Sequence, residues 1–320
     1  MRSLIASAFS VVLFVGTASA VDITTCGQTV PSGDVGVLLN DLVCPTTGPA
    51  VIVENMGTLK LQGFTFEGGS VGVDCTGMRC AVDDAEGPRG LILGATPLGD
   101  TQAGVRFHRR ARIDNVEIRN VGIGAMGGGR LEIVNSNIDI CASHCIDAKR
   151  VVATDVAIDG AAGDGIHARR FKTDSEDGGV TVTQCGGNGI TATRAFFGLS
   201  VEASDNGGDG IVARKIKGTE ISAYDNGGVG IRAETGPRIS QLSAELNDGP
   251  GVVVTMGGGK FVDANLENNE LATQPEGAGI DLLTKKKPRM VDEDGMPDPT
   301  TCDHSANIDT LVPWGVCEFD

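Results

Sequence analysis

Hydrophobic and polar positions recur along this chain with a period of about 20 residues. The clearest copies are Asp205-Asn206-Gly207-Gly208-Asp209-Gly210-Ile211 and Asp225-Asn226-Gly227-Gly228-Val229-Gly230-Ile231, which are 20 residues apart. An aliphatic residue, usually after Gly, marks each period: Val105, Ile123, Ile146, Ile166, Ile190, Ile211, Ile231, Val252 and Ile280. Two residues beyond each marker the side chain is again apolar, as in Ala148, Ala168, Ala192, Ala213 and Ala233, while the residues between are mostly polar. That is period-2 alternation, so each marker opens a short strand with one buried face.

Self-similarity at this period predicts a stacked repeat. Each period holds further apolar dyads, represented by Ile221 and Leu242, separated by Gly, Asn and Asp turns. A coil of short strands satisfies this pattern, with successive coils stacking at about 4.8 Å and like residues piling on like. Asn206, Asn226 and Asn247, five before their markers, are expected to form a ladder in a turn and to accept left-handed backbone there. The predicted fold is all-β: a parallel β-helix, or solenoid, of about ten coils with disulfide-tied ends.

The termini read differently. One Arg, an apolar run from Leu4 to Val15 and then Ala18-Ser19-Ala20 predict a signal peptide over residues 1–20, cut before Val21. No later stretch is long and apolar enough to span a bilayer, so export without membrane insertion is expected. Residues 21–284 then form the β-helix with its N-terminal cap, and residues 285–320 an acidic C-terminal tail or cap. The location is secreted or extracellular, whether free, periplasmic or at the cell surface, and the expected state is a monomer.

Composition sharpens this. The chain has 47 Gly, 10 Phe, one Trp and one Tyr, so the core must be built from small branched residues. A formal charge of -16 argues against nucleic acid and anionic membranes as partners. Nine cysteines in an exported chain point to disulfides. Local pairing predicts Cys26 with Cys44, Cys75 with Cys80, and Cys302 with Cys317. Cys141 can pair with Cys145, which leaves Cys185, two coils from Cys141, in a turn ladder.

A Cys26-Gly27 opening, Asp41-Leu42-Val43-Cys44, Leu59-Lys60-Leu61-Gln62-Gly63-Phe64-Thr65-Phe66 and then Asn-Gly-Gly-x-Gly-Ile turns form a recognisable series. In this series the chain resembles secreted right-handed parallel β-helix proteins of the pectin-lyase-like superfamily. The resemblance covers nearly all of the mature chain, and with the handedness of parallel crossovers it implies a right-handed coil. It is specific for fold and poor for chemistry, since this fold hosts lyases, hydrolases, epimerases and non-catalytic surface proteins. The paired-Asp and Gly-His-Gly signature of polygalacturonases, the Asp-Pro-His of alginate epimerases and the calcium-site Asp cluster of pectate lyases are all absent.

Stacking the coils by their markers lines up the outward side chains. Arg106, Asp147 and His167 fall one residue past the marker; Lys149, Arg169 and Arg214 fall three past it; Arg109, Arg150, Arg170, Arg194 and Lys215 fall four past it. Like charges about 5 Å apart in water repel by only about 0.8 kcal/mol, so such a stripe stands without a ligand. It reads either as a solvated face or as a groove for an acidic polysaccharide or cell-surface glycan. In the second reading Arg106, Arg109, Lys149, Arg150, Arg170, Arg194, Arg214 and Lys215 bind the substrate.

Asp147 and His167 occupy one position on adjacent coils. An Asp-oriented His beside Arg169 is a candidate general base for the proton next to a uronate carboxylate, making Asp147, His167 and Arg169 the candidate catalytic set. The plain alternative is a cross-strand ion pair. Gly124 and Gly127 either leave a notch for a sugar ring or mark a tight bend. Cys141, His144, Cys145 and His167 offer soft metal ligands against the competing disulfide. Asp292, Asp294 and Asp298 resemble half of a thrombospondin type 3 calcium repeat, against the alternative of an acidic linker. The sequence therefore supports either a β-helix protein that binds, and cleaves or epimerises, an acidic polysaccharide, or a non-catalytic structural or adhesive protein.

Overall fold

The computed structural model describes residues 19–95, 101–173, 178–266, 269 and 281–291, and the backbone of 305–307. Residues 1–18, Ile280, the acidic segment with Asp292, Asp294 and Asp298, and the Cys302–Cys317 pair lie outside the described residues. Among the described residues, no helix is long and apolar enough to cross a membrane. The chain is a parallel β-solenoid of about 11 turns. Its strands form three columns. The first starts with Ala20–Ile23 and Val35–Leu38, the second with Gln28–Val30 and Pro49–Val53, and the third with Leu42–Cys44 and Thr65–Gly68. The ladder continues past residue 284, through Arg289–Val291 on Lys260–Asn265 and Ser305–Asn307 on Leu282–Thr284.

Single residues turn the corners between columns. Asn115, Asn135, Asp155, Ser200, Glu220 and Gln241 have φ between 47° and 55° at one corner. Asn120, Ile140, Gln184, Asp205, Asp225 and Leu246 have φ between 51° and 57° at another. Short polar side chains tolerate this left-handed backbone, whereas a β-branched one is strained. Ile140 is both left-handed, at φ 54°, and 44% exposed. Ile140→Asn is therefore expected to stabilise the fold by about 1 kcal/mol, seen as a rise in the thermal unfolding midpoint.

The interior follows the predicted alternation. Ile146, Ile166, Ile190, Ile211, Ile231 and Val252 stack in register, each fully buried. Ala148, Ala168, Ala192, Ala213 and Ala233 form the parallel stack two residues on, all buried. Phe171 and Phe196 widen the first column, their rings stacked at 5.2 Å. Below the second corner runs a buried amide ladder. Asn206 Nδ2 donates to Asn226 Oδ1 (2.9 Å), Asn226 to Asn247 (2.9 Å), Asn247 to Asn269 (2.8 Å), and Asn269 to the Asp281 carboxylate (2.9 Å). The ladder exists as expected, but its backbone role differs. The left-handed residues are Asp205, Asp225 and Leu246, each one before the Asn. The Asn itself turns inward, where its amide closes bonds no solvent could reach.

Cys26–Cys44, Cys75–Cys80 and Cys141–Cys145 are disulfides. Cys185 is a buried thiol whose backbone N–H donates to Asn206 Oδ1, at the head of the amide ladder, and burial pushes its pKa up to about 11.

Three registers depart from the sequence alignment. Val105 pairs with Ala125, and Ala125 with Ile146, so the coil marker there is Ala125 and Ile123 lies two residues early. Gly124 is consequently inward: a Cβ there would sit 2.3 Å from Ile138 Cγ2. At the C-terminal end Val252 pairs with Leu282, two residues past Ile280. A bulge follows Ala168, so Arg170 faces Ala195 and not Arg194. In both internal cases the chain inserts or omits residues at a bend, where the buried side chains impose no spacing.

Candidate functional site

The shifted register at Ala125 creates the site. It places Met126 between Arg106 and Asp147 on one row and Gly127 inward between Phe107 and Ala148, and it brings Gly128 and Gly129 to the bend that follows. Two bend residues without side chains, Gly128 and Gly129, flanked by coils that carry His108, Arg109, Lys149 and Arg150, leave a depression in the surface. One lobe of about 620 Å³ is lined by Arg106, His108, Met126, Gly127, Gly128, Asp147, Lys149, His167, Arg169 and Thr193. The next, of about 480 Å³, is lined by His108, Arg109, Arg110, Gly128, Gly129, Arg130, Lys149 and Arg150. They share His108, Gly128 and Lys149, and together form one groove around the corner from the second column to the first.

Asp147 and His167 are direct rung partners, with Asp147 Oδ1 3.0 Å from His167 Nδ1. Their side chains are 42% and 40% exposed, which as a bare ion pair is worth under about 1 kcal/mol. The carboxylate fixes the tautomer: Nδ1 carries the proton it donates, and Nε2 keeps a lone pair. His144 stacks on His167 with ring centroids 5.2 Å apart. Its own Nδ1 accepts the Asp164 N–H at 3.0 Å, which puts its proton on Nε2. His144 is thus the first rung of an acceptor ladder. Asp164 Oδ1 accepts from Asn188 N, Asn188 Oδ1 from Asp209 N, and Asp209 Oδ1 from Val229 N. With Cys141 and Cys145 in a disulfide and His144 Nδ1 engaged, the soft-metal reading of that cluster fails. Among the described residues, no group of three or more His, Cys, Asp or Glu is arranged to hold a metal.

Beside the dyad stands a ladder of cations. Arg110, Arg130, Arg150 and Arg170 pair rung on rung in the first column. Arg130 reaches Glu132 only at 3.4 Å, and no carboxylate pairs with Arg109, Arg110, Lys149, Arg150, Arg169, Arg170 or Arg194 among the described residues. Mutual repulsion leaves a mark. The Arg170 guanidinium is held below the usual arginine value by Arg194 first, then by desolvation, Arg150 and Arg169. It stays protonated at any physiological pH.

Other cations of the predicted stripe are already engaged. Arg106 makes two bonds to Asp74, Nε–Oδ1 at 2.9 Å and Nη2–Oδ2 at 2.5 Å, which raise its pKa. It still lines the groove. Arg214 pairs with Glu234 at 3.2 Å, and neither it nor Lys215 lines either lobe. Arg194 touches the site only through its field on Arg170. Arg110, Arg130, Met126, Gly128 and Gly129 are the site residues that the marker alignment missed. The signal for them was the run Met126-Gly127-Gly128-Gly129-Arg130, which fits the solenoid only if Ala125 is the marker.

No protein-family model matches the chain, and no curated protein sequence matches it. Among solved structures, it is similar to the A-module of the mannuronan C-5 epimerase AlgE4 of Azotobacter vinelandii, with 13% identity over 86% of each chain and a TM-score of 0.39.

Proposed function

We propose that this is an exported β-solenoid that binds an acidic polysaccharide in the basic groove, with His167 as the proton-abstracting base. The observation that carries the reading is the ladder Arg110–Arg130–Arg150–Arg170 standing without carboxylate partners strong enough to neutralise it, in a chain with 42 acidic and 26 basic residues. Acids are plentiful, so leaving these arginines unpaired beside a glycine-floored groove fits recruitment of anions from outside. Guanidinium forks suit planar carboxylates, and a repeated rung spacing suits a repeating anion.

In the 620 Å³ lobe, the oriented imidazole has a free Nε2 and shares its cavity with Lys149 and Arg169. A uronate carboxylate held by Arg169 and Lys149 has its α-proton acidified. His167 takes that proton, Asp147 stabilises the imidazolium, and the two cations hold the charge that develops on the carboxylate. Expulsion of the neighbouring glycosidic oxygen then gives an unsaturated sugar; return of a proton from the other face gives the epimer. Incubating the mature protein with polyuronates, and reading ultraviolet absorbance of unsaturated ends and NMR of C5 configuration, tests the chemistry. The absence of both product and retention on every acidic glycan removes this function.

A non-catalytic adhesive role is favoured by one feature. Every residue lining the groove lies on a strand or in the bend beside it, so among the described residues no long loop rises to enclose it. Gly128→Leu separates binding from folding. A Cβ at Gly128 meets only His108 O, at 3.7 Å, whereas one at Gly129 would meet Arg109 O at 1.7 Å. Gly128→Leu is expected to keep the unfolding midpoint while weakening retention on immobilised polyuronate about tenfold by filling the groove. Unchanged retention places the glycan elsewhere.

A further inference from the structure

A second row of cations lies outside the groove, two residues further along the first column. Lys172 pairs with Phe197, Phe197 with Lys217, Lys217 with Arg238, Arg238 with Lys260, and Lys260 with Arg289. All six are exposed and face outward between buried neighbours: Phe171, Phe196, Ile216, Ile239, Phe261 and Met290 point in. Among the described residues, Lys217, Arg238, Lys260 and Arg289 have no carboxylate within ion-pairing distance. On the N-terminal side the row ends at Val152, the rung before Lys172; beyond it stand Glu132 and then Arg112, which is neutralised by Glu132 at 3.0 Å and by Asp114 at 2.6 Å. Phe197, 39% exposed, is a phenyl set between two lysines on a polar sheet.

We propose that this row is a second glycan-binding surface, which carries an acidic polysaccharide chain along the solenoid axis, away from the groove. The inference rests on the acidic-chain reading of the groove but not on the chemistry of His167. The geometry gives the direction. The groove's ladder stops where Ala195 takes the place after Arg170, and the row begins beside it at Lys172. Five further rung intervals at about 4.8 Å make a track of about 24 Å from Lys172 to Arg289. An exposed aromatic face takes the apolar C–H face of a sugar ring, and the cations beyond it, Lys217, Arg238, Lys260 and Arg289, take carboxylates. Single-stranded nucleic acid is disfavoured by the net charge of -16 and by a lone phenyl where such sites stack successive bases.

The test compares wild type with Lys217→Gln/Arg238→Gln/Lys260→Gln/Arg289→Gln, with Phe197→Ser, and with the groove variant Arg150→Gln/Arg170→Gln. Each is titrated with long polygalacturonate, with its trimer, and with oligodeoxythymidylate, after matched thermal unfolding. The expected result is at least about a tenfold loss of long-chain affinity in the row variants with trimer affinity unchanged, and losses on both ligands in the groove variant. Full long-chain affinity in the row variants overturns the proposal and leaves the groove standing. Long-chain loss in the row variants with a harmless groove variant keeps the row and removes the groove. Preference for oligodeoxythymidylate, or no binding by wild type, overturns the row as a glycan surface.

Discussion

Asn226→Leu is expected to destabilise the solenoid by about 4 kcal/mol, near the upper limit for one substitution. Asn226 is 1% exposed and bonded on every side. Its Oδ1 accepts from Asn206 Nδ2 (2.9 Å) and Asn206 N (3.3 Å); its Nδ2 donates to Asn247 Oδ1 (2.9 Å) and Ala203 O (3.0 Å). Leucine has the same four-heavy-atom branched skeleton, is bulkier, and has none of these groups. Ala203 O and Asn206 N then lose the partner that the amide supplied inside the stack. Each stranded buried group costs about 1–3 kcal/mol, and the amide chain is weakened on both sides. Asn226→Asp is the companion variant: it keeps the acceptor, loses the donor and adds a buried charge. Denaturant unfolding measures both. A loss below about 1 kcal/mol for the leucine variant would mean that the ladder adjusts around a gap, and that the core alone holds these coils.

The solenoid was legible because its interior repeats strictly. Ile146 to Ile231 and Ala148 to Ala233 sit in register as the alternation required, since a slip of one residue would put every aliphatic side chain in water. The contact between Asp147 and His167 followed from the same register. The sequence misled where nothing buried constrains the count. At Ile123 the phrase Gly-Ile imitates a marker, but the residue that pairs with Val105 and Ile146 is Ala125, an alanine in the place of the branched side chain. That slip hid the glycine pair Gly128–Gly129 at the bend and the partnership of Arg110 with Arg130. At Arg194 the bulge after Ala168 broke a column that equal spacing seemed to continue, because bends accept an extra residue at little cost. Ion pairing was legible only in part. Arg214 and Glu234 fall three past the markers of adjacent coils, so the register that joins Asp147 to His167 joins them too, whereas Asp74 lies 32 residues from Arg106, beyond the regular spacing.

His167→Gln is expected to lower turnover of a polyuronate by about 10²–10⁴-fold with retention on the same polymer changed less than about twofold. The reason is the division of labour in the groove. Binding is carried by arginines that stand in register along the first column, and only one of the groove's side chains has both a free basic nitrogen and a carboxylate fixing its tautomer. Removing the imidazole leaves the cations in place, so the loss falls on kcat. Asp147→Asn should lose less. Its amide still touches Nδ1, but as a donor it forces the proton to Nε2 and presents the substrate with the wrong nitrogen; as an acceptor it keeps the tautomer without stabilising the imidazolium. His144→Gln distinguishes a local role from mere packing, because it removes the ring stacked at 5.2 Å and leaves the Asp147 bond intact. It is expected to cost less than about tenfold. Equal rates in wild type and His167→Gln would reduce the pair to an ordinary cross-strand contact and give the groove to adhesion alone.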